Sequence, residues 1–331
     1  MRALITGGMG FAGTHLSRHL ADCRDDVAIT YLPKNSSGNE KSAELKKLDE
    51  LRLANIPKQA QHVALDVTNQ DHLNQILSLM KPDVIYHLAG IPYVASATED
   101  TDYVFKVNTF GTKNLLEAVK ASCPSARVLV VSSAEVYGAP RVTSQPFVET
   151  SELRPVSFYG ASKASAEMIS HGYVARDGLE VVMVRPFAHV GPYQEDTFSL
   201  SSFAKQIAQI KLGQKEPILE VGNIEVKRDF SDVSDIVRGY RECALNGRVG
   251  EVYNLCSGQS FLLQDLIETL IKISGVPIEI KVREDRLRSI DIPEYFGNFQ
   301  KAQKEIGWKP RVEKETFLAG LFSYWLEFLN S

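Results

Sequence analysis

Ala3-Leu4-Ile5-Thr6-Gly7-Gly8-Met9-Gly10-Phe11-Ala12-Gly13-Thr14-His15-Leu16 stands at the start of the chain and decides its fold. Residues 3–6 are a short apolar run. The glycines follow at once, and residues 11–20 carry apolar positions at helical spacing. Val27-Ala28-Ile29 then begins a second strand. Gly8, Gly10 and Gly13 fit the G-x-G-x-x-G dinucleotide fingerprint, and Gly7, Gly10 and Gly13 fit a G-x-x-G-x-x-G variant. Small residues there let the backbone approach a pyrophosphate, which rests on the amides that open the helix at Phe11, Ala12 and Gly13. A tight turn with no ligand is the plainer alternative, and the strand-turn-helix context argues against it.

Further strand-like runs at 27–31, 62–66, 84–88, 127–132 and 180–185 alternate with helical patterns. That alternation predicts an α/β protein, a Rossmann-type doubly wound parallel sheet. The expected organisation is a cofactor-binding domain over 1–185, with a return strand near 251–256, and a smaller α/β substrate domain over 186–331. Residues 35–61 are polar and lysine-rich and read as a solvated surface helix, around 41–53, and loop. Helices are expected at about 201–212 and from about 234, with a strand at 218–221. Residues 259–331 read as helix, strand, loop and two helices. No internal repeat or low-complexity tract is visible.

A chain of 331 residues exceeds one typical domain. Its net charge of −4 gives no reason to expect nucleic acid or an anionic membrane as partner. The four cysteines, Cys23, Cys123, Cys243 and Cys256, are scattered without a C-x-x-C. They fit reduced thiols in the cytoplasm, not a disulfide framework or a metal site. The first strand occupies the place of a signal peptide, and no apolar run reaches the length of a membrane span.

Tyr159-Gly160-Ala161-Ser162-Lys163 is the second decisive stretch. Tyr159 and Lys163, four apart, share one face of a helix. A free tyrosine titrates near ~10 and exchanges protons poorly at neutral pH. A neighbouring ammonium is expected to lower that value and make the phenol a usable acid. Such spacing alone is common on surfaces. Together with the glycine turn, it points to hydride transfer between a nicotinamide cofactor and an alcohol or ketone.

With these stretches in view the chain resembles an extended short-chain dehydrogenase/reductase of the epimerase/dehydratase family, acting on nucleotide-activated sugars. The likeness rests on residues 6–13, Asp66-Val67, His87-Leu88-Ala89-Gly90, Asn108, Ser132-Ser133-Ala134-Glu135-Val136-Tyr137-Gly138, 159–163, Arg185-Pro186-Phe187 and Gly191-Pro192. It continues through Arg228-Asp229-Phe230-Ser231-Asp232-Val233, Tyr253-Asn254 and Gly307-Trp308-Lys309-Pro310. Residues 221–230 and 293–310 look most like the GDP-sugar branch, which holds GDP-mannose 4,6-dehydratases and GDP-4-keto-6-deoxy-D-mannose reductases.

The resemblance implies a catalytic set of Ser133, Tyr159 and Lys163, with Glu135 where dehydratases carry the base that removes the C5 proton. The residue before that base often helps expel water. Here it is Ala134, which donates nothing and tilts the reading toward a 4-keto reductase. A 4,6-dehydratase or a 4-epimerase is the alternative. The implied cofactor contacts are Gly7, Gly10, Phe11, Ala12, Gly13, Tyr31, Lys34, Asp66, Val67, Leu88, Ala89, Gly90, Asn108, Tyr159, Lys163 and Pro186. No carboxylate ends the second strand. Lys34 and nearby hydroxyls suit a 2′-phosphate, so NADP is favoured over NAD. Ser133, Arg228, Arg286 and Arg288 are the expected substrate contacts, because a guanidinium fork matches phosphate oxygens. The family's Arg-Pro-Phe-Asn becomes Ala188 at its last position, followed by His189. His87 and His189 read as structural, with no metal-ligand spacing. The expected partners are a nucleotide-diphosphate sugar, with GDP favoured, and a second copy of the chain in a homodimer through the helix that bears Tyr159.

Overall fold

A computed structural model describes residues 1–32, 42–92, 100–139, 145–286 and 292–331. The chain begins with β1 (Arg2–Thr6), α1 (Phe11–Asp22), β2 (Asp26–Tyr31), α2 (Ala43–Asn55), β3 (Gln61–Ala64), α3 (Gln70–Met80) and β4 (Val84–His87). Helix α4 (Thr101–Phe105) runs through a π-helical turn at Lys106–Phe110 into α5 (Gly111–Ser122), β5 (Arg127–Val131), α6 (Phe158–Asp177) and β6 (Val181–Pro186). Short strands follow: β7 (Ala188–Val190), β8 (Ile218–Val221) after α7 (Ser199–Lys211), β9 (Lys227–Arg228) and β10 (Phe230–Asp232). Then come α8 (Val233–Asn246), β11 (Val252–Leu255), β12 (Phe261–Leu262), α9 (Leu263–Ser274), β13 (Glu279–Val282), β14 (Glu294–Tyr295), α10 (Gln300–Ile306) and α11 (Lys314–Asn330).

Among the described residues, seven strands form one parallel sheet in the order β3-β2-β1-β4-β5-β6-β11. The order reverses at β1, where Thr6 lies opposite His87 of β4. A ligand crevice belongs at that switch point, outside the carboxyl ends of the strands. Both faces of the sheet are covered, so its strands are apolar throughout. Ala3, Ile5, Val27 and Ile29 point to the face packed by Leu16 and Leu20 of α1 and Ile236, Val237 and Tyr240 of α8. Leu4, Ala28, Ile85 and Val128 point to the other face, under Leu73, Leu77, Leu115 and Leu116.

The predicted strands and helices are present with ends shifted by one or two residues, and β11 joins the large sheet beside β6. A second core gathers α7, α9 and α11, with Phe203, Ile207, Leu266, Leu270, Leu321 and Trp325 buried. Helix α2 departs from the expectation of a solvated helix. Leu48 and Arg52 are buried, and Leu48 packs into that second core. Lys47 donates to the carbonyl of Phe328, and its ammonium lies 4.6 Å from the Phe328 ring centre. Lys47, one of the lysines that make α2 look solvated, packs against α11 instead.

Trp308 closes the α8 face. It is fully buried and donates its indole N–H to the carbonyl of Asp235 at 3.0 Å. Trp308→Ala leaves a cavity and removes that hydrogen bond, and is expected to cost about 3–5 kcal/mol. Urea unfolding of the variant measures this.

Candidate active site

The glycine turn is sterically compulsory at three positions. Gly7 has φ 70°, and a Cβ on it would lie 2.8 Å from the backbone nitrogen of Ala89. A Cβ on Gly8 would lie 2.5 Å from Cβ of Ile29, and one on Gly13 would lie 2.5 Å from the carbonyl of Gly7. Gly10 opens α1 without a side-chain cap, so the first amides of the helix are left for a ligand. Such a cradle, which any side chain would fill, suits the pyrophosphate of a dinucleotide.

The turn lies at one end of a cleft of about 2450 Å³ lined by both cores. Gly7, Gly10, Phe11, Ala12, Gly13, Tyr31, Leu88, Ala89, Gly90 and Pro186 line it, together with Ser133, Glu135, Tyr159, Lys163, Arg228 and Arg286. Asp66, Val67 and Asn108 do not. Asp66 Oδ1 accepts from the amide and hydroxyl of Thr68, both at 2.8 Å. Val67 is buried beneath Gly111. Lys34 and Arg288 lie outside the described residues.

A buried chain of hydrogen bonds links the turn to Asn108. The amide of Ala89 donates to Thr6 Oγ1 at 3.2 Å, and Thr6 Oγ1 meets His87 Nδ1 at 2.8 Å. His87 Nε2 meets Thr112 Oγ1 at 3.0 Å, and Thr112 donates to the carbonyl of Asn108 at 2.7 Å. Thr112 gives its proton to Asn108, so His87 carries a proton on Nε2, and in the neutral ring Nδ1 accepts from Thr6. Burial holds its pKa down to about 3. His87 is therefore structural, as its sequence context suggests.

Asn108 sits on the π-helical turn, a local irregularity frequent at functional sites. Its Oδ1 accepts from Ile91 N at 2.8 Å, and its Nδ2 donates to Ser162 Oγ at 3.0 Å. Thr109, beside it, donates to the carbonyl of Ser162 at 2.9 Å. These contacts hold the first turn of α6, where Tyr159 and Lys163 share a face. Ser157 caps that helix by accepting from Gly160 N. A Cβ on Gly160 would strike the carbonyl of Glu135 at 2.6 Å. The glycine thus sets how near Tyr159 comes to the 133–135 turn.

Ser133 hydrogen-bonds the Tyr159 hydroxyl. Burial pushes that phenol up to about 12. The Ser133 bond pulls down, and the Glu135 charge adds to the rise. The lysine does not lower it, contrary to expectation. Lys163 instead donates to the carbonyl of Val131 at 2.9 Å, and burial brings its own pKa down to about 8 despite the nearby Glu167 carboxylate. Tyr159 is thus a neutral phenol at physiological pH, a proton donor in waiting.

Glu167, one turn past Lys163, was not singled out from the sequence. It is fully buried and accepts from Arg185 Nε at 3.0 Å and Nη2 at 2.7 Å, and from the Ser132 hydroxyl. Asp229 was likewise overlooked as a hub. It accepts from Ser257 N and Oγ, Gly258 N and Gly297 N. Arg228 is carried beside it on β9 and donates to the carbonyls of Lys227 and Ile292. Arg286 is held by the carbonyl and carboxylate of Glu220. Ala188 and His189 face the cleft, and His189 donates from Nδ1 to the carbonyl of Phe187 at 2.9 Å. Among the described residues, no cluster of His, Cys, Asp and Glu could hold a metal ion.

These features define a Rossmann-type extended dehydrogenase/reductase with an acid beside the switch point. A model of the GDP-mannose 4,6 dehydratase family matches residues 4–320, and the chain belongs to that family. It is 33% identical over 324 residues to GDP-6-deoxy-D-mannose reductase of Pseudomonas aeruginosa, covering 98% of this chain and 97% of that one. The structure of RMD from Pseudomonas aeruginosa complexed with NADPH superposes with a TM-score of 0.82 at 31% identity, covering 99% of each chain. UDP-glucuronic acid 4-epimerase from Bacillus cereus, in complex with UDP-glucuronic acid and NAD, gives a TM-score of 0.82 at 27% identity, also covering 99% of each.

The cradle is directly testable. Gly13→Val drives its side chain into the Gly7 carbonyl and is expected to weaken NADPH binding about tenfold or more. Fluorescence titration of the cofactor reads the change.

Proposed function

We propose that this protein reduces the 4-keto group of a GDP-6-deoxy-4-keto-hexose to an alcohol, using NADPH or NADH. The carrying observation is Tyr159, a neutral phenol hydrogen-bonded by Ser133, next to Ala134. Reduction of a ketone needs one hydride and one proton. The reduced nicotinamide, when bound along residues 7–13 and 88–90, supplies the hydride. Tyr159 gives the proton to O4 and Ser133 orients the ketone. Lys163, charged below about pH 8, would hold the nicotinamide ribose with its ammonium, and solvent returns the proton to Tyr159. Glu135 helps keep Tyr159 protonated before the reaction. Arg228 and Arg286 bind the diphosphate, their forks matching its oxygens. The absence of a carboxylate at Thr30-Tyr31-Leu32 supports NADP over NAD.

Dehydration is the second reading, favoured by Glu135 and by the match to the GDP-mannose 4,6 dehydratase family. It also needs an acid for the leaving hydroxyl. Ala134 is buried in an apolar cluster with Val136, Tyr137 and Phe147, its carbonyl accepts from the Tyr137 amide at 2.9 Å and the Tyr295 hydroxyl at 2.5 Å, and its methyl side chain offers no acid. A homodimer through α6 is supported by the exposed Phe158 and Met168 on that helix. Four unpaired cysteines are in keeping with a cytoplasmic setting. No described helix is long and apolar enough to cross a membrane. The division at 185 fits a cofactor-binding part and a nucleotide-sugar part, with α8 and β11 returning to the first.

Tyr159→Phe removes the acid and is expected to slow turnover at least ~100-fold with cofactor affinity unchanged. The wild-type rate should be flat below pH 8 and fall above it. Lys163 loses its charge as pH rises through about 8, while Tyr159, at about 12, keeps its proton. A pH–rate profile checks both halves of that statement.

Incubation with a GDP-4-keto-6-deoxy-hexose should consume one reduced cofactor per sugar, and Glu135→Gln should keep a substantial part of that activity. Conversion of GDP-mannose to its 4-keto product without net cofactor use, abolished by Glu135→Gln, would establish the dehydratase instead.

A further inference from the structure

Two helices of the cofactor-binding half grip consecutive carbonyls on the substrate side of the cleft. His15 of α1 donates from Nε2 to the carbonyl of Pro192 at 2.9 Å. Arg52 of α2 donates to the next carbonyl, that of Tyr193, from Nε at 3.1 Å and Nη2 at 2.8 Å. The same guanidinium reaches Glu195 Oε1 at 3.3 Å and Asp49 at 3.7 Å, and it is buried.

Tyr193, between these grips, has φ 69°. That is a left-handed backbone which a bulky side chain rarely adopts, and it marks a site where surrounding contacts decide the conformation. Beyond it, Gln194, Glu195, Asp196, Thr197 and Phe198 line the cleft on the way into α7. The grip is also continuous with the glycine turn. The ring of Phe11, first residue of α1, lies 5.5 Å edge-on from His15, and His15 lies 5.7 Å from the ring of Tyr193. Phe11 also stacks at 5.7 Å on His189.

We infer that His15 and Arg52 are positioning residues through which an occupied pyrophosphate turn tightens the binding of the nucleotide sugar. A phosphate on the α1 amides fixes Phe11 and the first turn. That favours the gripped, left-handed form of Tyr193 and with it the ordered wall at 194–198. Released, Tyr193 relaxes and the wall loses its shape. The two sites thus bias one element that has two arrangements. The inference rests on the nucleotide-sugar reading above.

Calorimetric titration of GDP, with and without saturating NADP⁺, tests it. The wild type should bind GDP about fivefold or more tightly when NADP⁺ is present. In Arg52→Lys, which keeps the charge but loses the fork, and in His15→Ala, that ratio should fall toward one. The affinity of each variant for NADP⁺ alone should stay near wild type. A merely structural contribution would weaken GDP equally in both conditions and leave the ratio intact. A wild-type ratio of one overturns the inference, as does an undiminished ratio in both variants. If Arg52→Lys does not fold, the His15→Ala ratio decides. UDP and dTDP run in parallel: if one of them binds and GDP does not, the choice of nucleotide is wrong, and the ratio is read on the nucleotide that binds.

Discussion

A single buried carboxylate, Glu167, organises the catalytic end of this molecule. Taking it out of water is costly unless charge and hydrogen bonds replace the solvent. Arg185 does so with a two-pronged contact, and the Ser132 hydroxyl adds a third bond. Arg185 in turn donates to Tyr137 at 3.0 Å and to the carbonyl of Glu149 at 2.9 Å, and Tyr137 donates to Asn254 at 2.7 Å. One ion pair thereby ties α6, β5, β6, β11 and the segment before α6 together. Removing one member of such a pair leaves an uncompensated charge and costs about 3–5 kcal/mol. The pair also fixes chemistry, because Ser132 precedes Ser133 and Glu167 follows Lys163 by one turn.

From the other side α6 is held by the π-helical turn, through Asn108 and Thr109 to Ser162. The Thr6–His87–Thr112 chain connects that turn to the glycine loop. The phosphate cradle and the proton donor are therefore parts of one hydrogen-bonded frame, not two sites that happen to be adjacent. Preorganisation of this kind lets a phenol of ordinary chemistry act at a defined position.

Much of this was legible in the sequence because local rules and tertiary structure agree. Gly7, Gly8 and Gly13 announce a turn no other residue can make, and alternating apolar runs place the strands. Tyr159 and Lys163 are legible through helical spacing. What was not legible depends on partners distant in the chain. Glu167 and Arg185 look like ordinary charges until α6 lies on β6. Asp229 gains its role only when residues 257–258 and 297 converge on it, and Arg52 only when α2 meets the turn at Tyr193. The expected effect of Lys163 on Tyr159 failed for the same reason. Spacing gave the shared face, but the carbonyl of Val131 took the ammonium and burial set the phenol's proton affinity.

The central claim is that hydride reaches C4 of the sugar from outside the substrate. It is tested most directly by running the reaction with NADPH deuterated on the transferring face of C4 of its nicotinamide ring, and locating the label in the sugar by NMR and mass spectrometry. One deuterium at C4 of the product hexose, and none at C6, is the predicted result. An unlabelled product formed with the cofactor unchanged, its C6 hydrogen drawn from the sugar's own C4, would contradict the account and assign the chain to internal hydride transfer.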